Sequence, residues 1–218
     1  MGASSPELRP AVAGASEQDA SVAAILLHGR WQTPQYMIEV AGRIGAAEVT
    51  YVAPPAPGGT WYPSTFRAPY EENRRQLEAS LGMVDAEVGA LRARGWPRER
   101  IAFLGFSQGA CLAAEYVWRN PGRWAGLAVF TGSLIAPPGE PAYEAGDLAG
   151  TPVLVSNGDN DPWVAVGYSE RTAARFAAAG AAVQVQVHPG REHLVNDEEV
   201  AAARAILAAA AAQAGRRD

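Results

Sequence analysis

An apolar run, Ile101-Ala102-Phe103-Leu104, passes directly into Gly105-Phe106-Ser107-Gln108-Gly109. Ala110-Cys111-Leu112-Ala113-Ala114-Glu115-Tyr116-Val117-Trp118 follows. The run fits a short buried strand and the later segment a helix, so the serine sits at a strand-to-helix turn. So sharp a turn strains the backbone of its central residue and leaves the hydroxyl exposed. The flanking glycines leave room for strand and helix to pass closely. The next N–H, from Gln108, opens a helix, where it can stabilise a developing oxyanion. The pattern predicts a nucleophile at Ser107.

The rest of the chain alternates in the same way. Val22–Leu27, Val49–Val52, Leu127–Phe130, Pro152–Ser156 and Val183–Val187 are strand candidates. Helical patterns cover Pro34–Ile44, about Tyr70 to Arg94, Tyr168–Ala179 and Glu198–Ala212, with Pro34 acceptable in a first turn and Gly95 as a stop. Continuously apolar strands separated by helices predict an α/β fold with a mostly parallel central sheet covered on both faces. Ligands of such sheets bind beyond the carboxyl ends of the strands. No repeat or second-domain boundary is visible. Residues 1–20, rich in Ala, Ser, Pro and Glu, read as a flexible lead-in to a single domain over 21–218.

Those strand-end loops carry the other reactive side chains. A serine hydroxyl is a weak nucleophile and needs a nearby base, itself oriented by a carboxylate. The chain has three histidines. His193 follows the last strand, where the base belongs in the order Ser, acid, His. His188 ends that strand and reads as structural, and His28 precedes the serine. After Pro152–Ser156 come Asp159 and Asp161. Asp161 is the chosen acid, with Asp159 left to shape the loop as an Asx turn. A second oxyanion donor is expected from the loop after an early strand. His28-Gly29-Arg30 supplies one, in which Gly29 permits close approach and the Arg30 N–H joins that of Gln108.

Together these pieces resemble the phospholipase/carboxylesterase branch of the α/β hydrolases, which includes acyl-protein thioesterases. The resemblance rests on Leu27-His28-Gly29, Trp61-Tyr62-Pro63, Gly105-Phe106-Ser107-Gln108-Gly109, Gly158-Asp159-Asn160-Asp161 and Gly190-Arg191-Glu192-His193. It extends from about Val22 to Leu207. It implies an α/β-hydrolase fold without a large cap, a serine nucleophile and no cofactor. It also places the acid at the later aspartate, Asp161, and the base at His193. Bacterial relatives often have His-Gly-Arg-Gly at the oxyanion loop, but Trp31 replaces the last glycine here. The resemblance therefore implies a serine hydrolase, a carboxylesterase or thioesterase acting on small esters through an acyl-enzyme. Alternatives of the same fold are a dienelactone-type or carbon–carbon bond hydrolase on an aromatic-pathway intermediate, or a non-catalytic binding protein.

Trp31, Trp61, Tyr62 and Trp163 lie in loops after strands and are candidate substrate-binding residues. Trp96, Trp118 and Trp124 fall in or beside helices and read as structural. The Arg30 side chain reads as a solvated surface group. A net charge of −5 without a dense Lys/Arg stripe argues against nucleic acid or an anionic membrane as the main partner. The lone Cys111 permits no internal disulfide and no cysteine-based metal site, and it reads as a small buried apolar residue. No secretion signal or membrane-spanning run is apparent, so a cytoplasmic location is the expectation. Oligomeric state stays open.

Overall fold

Along the central strands, side chains alternate between two faces and both sets are apolar, so each face must be covered by helices. In strand β2 (Val22–Leu27), Ala23, Ile25 and Leu27 join one buried cluster while Val22, Ala24 and Leu26 join another. The computed structural model, which describes residues 9–136 and 146–215, builds seven strands on this plan. The other six are β1 (Ala11–Gly14), β3 (Val49–Ala53), β4 (Ile101–Phe106), β5 (Gly126–Phe130), β6 (Pro152–Gly158) and β7 (Ala182–His188). The sheet order is β1-β3-β2-β4-β5-β6-β7, parallel throughout except where β1 pairs antiparallel with β3.

Helices α1 (Pro34–Ile44) and α5 (Asp197–Ala214) bury Met37, Val40, Ile44, Val200 and Leu207 against one face. Helices α2 (Tyr70–Ala93), α3 (Gln108–Arg119) and α4 (Val166–Ala178) cover the other with residues such as Leu77, Val84, Leu112 and Phe176. Helix α3 is buried over nearly its whole length, because it packs on β2, β4 and β5 at the sheet centre and against α2.

Strand β1 corrects the reading of residues 1–20 as flexible. Its four residues alternate half-buried and exposed and pair with Thr50–Ala53. Ala-Val-Ala-Gly is too short and too weakly apolar to announce a strand, and its stability comes from the pairing partner. Residues 1–8 of that segment lie outside the described residues. Elsewhere the strands extend one or two residues past the expected ends, into Gly158 and Phe106 for example. Because β2, β4, β5, β6 and β7 run in one direction, the loops that follow them gather along one sheet edge.

Among the described residues, no helix is long and apolar enough to cross a membrane. Among the same residues, no group of three or more His, Cys, Asp and Glu is arranged to hold a metal ion.

Candidate active site

Ser107 stands between β4 and α3 with φ 55° and ψ −119°. That conformation is unfavourable for a side-chain-bearing residue and persists only where its surroundings enforce it. Two glycines do so by close approach. A Cβ on Gly105 would lie 2.4 Å from the Gly109 carbonyl, and one on Gly109 would lie 2.1 Å from the Leu27 carbonyl. The Ser107 N–H donates to the Phe130 carbonyl at 3.0 Å, which pins the elbow to β5.

The structure brings Ser107, His193 and Asp161 together although they come from three separate loops. Ser107 Oγ lies 2.8 Å from His193 Nε2, and His193 Nδ1 lies 2.6 Å from Asp161 Oδ2. The Phe106 ring packs on the imidazole with centroids 5.0 Å apart. Asp161 Oδ1 accepts the N–H groups of Trp163 at 2.8 Å and Val164 at 3.0 Å. Burial pushes the Asp161 carboxyl up. Hydrogen bonds from His193, Thr131, Val164 and Trp163 outweigh that effect and bring it down to about 2. Asp159 lies elsewhere, its Oδ1 accepting the Gly190 N–H at 2.6 Å and so bracing the turn before His193.

The remaining histidines are committed to other partners. His28 is buried, its Nδ1–H donates to the Gly29 carbonyl at 2.7 Å and its Nε2 accepts the Ala56 N–H at 3.0 Å. Burial lowers its pKa, and the Gly29 contact only partly offsets this. His188 Nδ1 faces Glu198 at 3.2 Å, beside helix α5. Cys111 is buried beneath the elbow, where burial pushes the thiol up to about 11. A thiol so held stays protonated and is a poor nucleophile.

The Arg30 peptide is fixed on both sides. The Gly29 N–H donates to Gln32 Oε1 at 2.9 Å, and the Trp31 N–H donates to the Gly59 carbonyl at 2.7 Å. Gln108, the first residue of α3, contributes a leading N–H that has no acceptor within its own helix. The Gln108 side chain points the other way and locks the 60–62 loop. Its Oε1 accepts from Trp61 N–H at 3.0 Å and Thr60 Oγ at 3.1 Å, while its Nε2 donates to the Tyr62 carbonyl at 2.7 Å.

The four aromatic candidates divide into two kinds. Trp61 and Tyr62 are 0% and 1% exposed. Their rings are core, and Trp61 Nε1 donates to the His28 carbonyl at 2.8 Å. This corrects their reading as substrate contacts, since their work is to hold the loops behind the site. Trp31 and Trp163, by contrast, are 73% and 69% exposed. The Arg30 side chain is also not the solvated group expected. It donates to the carbonyls of Tyr62 and Ser64 and so ties the oxyanion loop to the 62–64 segment.

Thr131 is the group that reading the sequence misses. Its hydroxyl donates to Asp161 Oδ2 at 2.6 Å and lies 2.8 Å from His193 Nδ1. Its position directly after the central parallel strand β5 is the usable signal, since loops at the carboxyl ends of such strands gather at the site. Trp31, Ser107 and Thr131 have φ values of 62°, 55° and 48°. All three follow parallel strands at the same sheet edge, and such strain clusters at functional sites.

Residues 9–210 match the family described as phospholipase/carboxylesterase. A phospholipase/carboxylesterase of Dyadobacter fermentans is 36% identical, with 92% of this chain and 97% of that one superposed at a TM-score of 0.86. The structure of esterase PE8 is 25% identical and covers 94% of this chain and 99% of its own, at a TM-score of 0.79. A probable carboxylesterase of Oryza sativa subsp. japonica is 33% identical over 128 residues. That match takes in 58% of this chain and 46% of the rice protein, so the chain spans less than half of that relative's length.

Proposed function

The chain belongs to the phospholipase/carboxylesterase family of α/β hydrolases, and we propose that it cleaves carboxylic esters or thioesters of small substrates through Ser107, His193 and Asp161. One observation carries this reading. A continuous hydrogen-bonded path runs from the Ser107 hydroxyl through both nitrogens of His193 to a buried carboxylate.

Ser107 Oγ attacks the acyl carbonyl carbon while His193 Nε2 takes its proton. Asp161 holds the imidazole with Nδ1 protonated and stabilises the imidazolium that forms. The N–H groups of Arg30 and Gln108 bind the oxyanion, each donor being worth about 10²–10³ in rate in enzymes of this kind. The tetrahedral intermediate collapses, and His193 returns the proton to the departing alcohol or thiol. Water, activated by His193, then hydrolyses the acyl-enzyme and restores Ser107. Trp31 and Trp163 form an apolar rim for the substrate, because each follows closely on a residue of this machinery and presents its ring to solvent. The direct test is labelling with a fluorophosphonate followed by peptide mapping. Modification of Ser107 is expected, and modification of another serine or none would contradict the assignment.

A further inference from the structure

Two consecutive residues at the end of β5 reach both halves of the candidate triad. The Phe130 carbonyl accepts the Ser107 N–H at 3.0 Å. Thr131 contributes a hydroxyl that touches Asp161 and His193 together, at 2.6 Å and 2.8 Å. Those two groups are themselves 2.6 Å apart, so three polar atoms close a triangle. Thr131 is 0% exposed, and its own N–H donates to the Ser156 carbonyl at 2.8 Å on the neighbouring strand. Its φ of 48° is unusual for a β-branched residue. The hydroxyl is thus aimed by a strained, hydrogen-bonded and buried backbone.

An ionised carboxylate can only accept, so both of its neighbours in the triangle donate to it. The Thr131 O–H donates to Asp161 Oδ2, and its lone pairs face the Nδ1–H of His193. Two backbone N–H groups, of Trp163 and Val164, hold Oδ1, so the angle at which Oδ2 meets the imidazole depends on what else binds Oδ2. With the threonine in place, the oxygen is held from a second direction.

We infer that Thr131 is a positioning residue, which holds the Asp161 carboxylate and the His193 imidazole at a fixed angle and ties them, through Phe130, to the Ser107 backbone. This inference rests on the triad reading above. It assigns no direct contact between Thr131 and substrate.

The test compares Thr131→Val, Thr131→Ala and Thr131→Ser on one p-nitrophenyl ester over a full pH range. Valine fills the space and alanine vacates it, so the two hydroxyl-free variants separate loss of the hydroxyl from loss of packing. Both are expected to lower kcat about ten- to hundredfold with KM within about twofold, as for loss of a charge-assisted hydrogen bond. The acid limb of kcat/KM, which reports the base, should move in both and stay in place in Thr131→Ser. Thr131→Ser should keep kcat within about threefold. Wild-type kcat in Thr131→Val, an equal loss in Thr131→Ser, or a fall in kcat with an unmoved acid limb would overturn the inference. An active Ser107→Ala would instead remove the triad itself, so the two failures are distinguishable.

Discussion

The Glu199 carboxylate, fully buried at the start of helix α5, lies 3.1 Å from the guanidinium of Arg191, two residues before His193. The same carboxylate accepts from the Ser156 hydroxyl and from the Asn196 N–H. Arg191 in turn donates to the carbonyls of Glu192 and Leu194, so the loop bearing His193 is wound around it. The position of the base is therefore set from below by an ion pair outside the triad.

Removing Glu199 should show what that anchor contributes. Glu199→Ala leaves a buried guanidinium unpaired and strips the capping box of α5. A loss of about 3–5 kcal/mol is expected by urea unfolding, as for other broken buried pairs. Turnover of the surviving folded protein should fall as well, because the His193 loop loosens. Unchanged stability would mean that the loop is held by other contacts.

The two aspartates of the loop after β6 make opposite predictions. Asp161→Asn keeps the shape but disturbs the histidine tautomer, and kcat should fall about 10³–10⁴-fold. Asp159→Asn keeps an oxygen for the Gly190 N–H, so kcat should stay within about threefold. Steady-state kinetics on one ester ranks them, and the reverse order would reassign the acid.

Asp161 also makes stability depend on pH. Burial acts to raise its carboxyl, and the four hydrogen-bond donors pull it down to about 2. The unfolded chain holds the same group near 4, so unfolding takes up a proton in acid. Its stabilising contribution is complete above about pH 4 and is lost as pH falls through the folded value. The stability gap between wild type and Asp161→Asn should therefore narrow from pH 5 towards pH 2, read by circular dichroism in urea. A gap constant across that window would contradict the assignment of those donors.

Trp31 and Trp163 are exposed where most large apolar side chains of this protein are not. Trp31→Ala and Trp163→Ala should raise KM severalfold for esters with bulky apolar groups and leave short-chain esters nearly unchanged. Equal effects on both kinds of ester would argue against an apolar rim.

Much of this architecture was legible because strand and helix signals are strong where burial is two-sided. Val22–Leu27 and Ile101–Phe106 are buried at every position, so unbroken apolar runs mark them. Ser107, Asp161 and His193 fall after parallel strands, which is where the topology concentrates side chains whatever their spacing. Strand β1 was hidden because its order comes from pairing with β3 and not from its own four residues. For Trp61 and Tyr62, position after a strand does not say whether a ring turns outward or into the core, and both turn inward. Thr131 and Glu199 are illegible in the sequence for a related reason. Each acts through contacts with loops distant in the chain, and a lone threonine or glutamate carries no local signature of that.

The central claim is that Ser107 is the nucleophile of one hydrogen-bonded unit, and turnover of a short p-nitrophenyl ester by Ser107→Ala tests it most directly. The account predicts a folded protein whose kcat has fallen by about 10³-fold or more. A Ser107→Ala protein with wild-type turnover would contradict it.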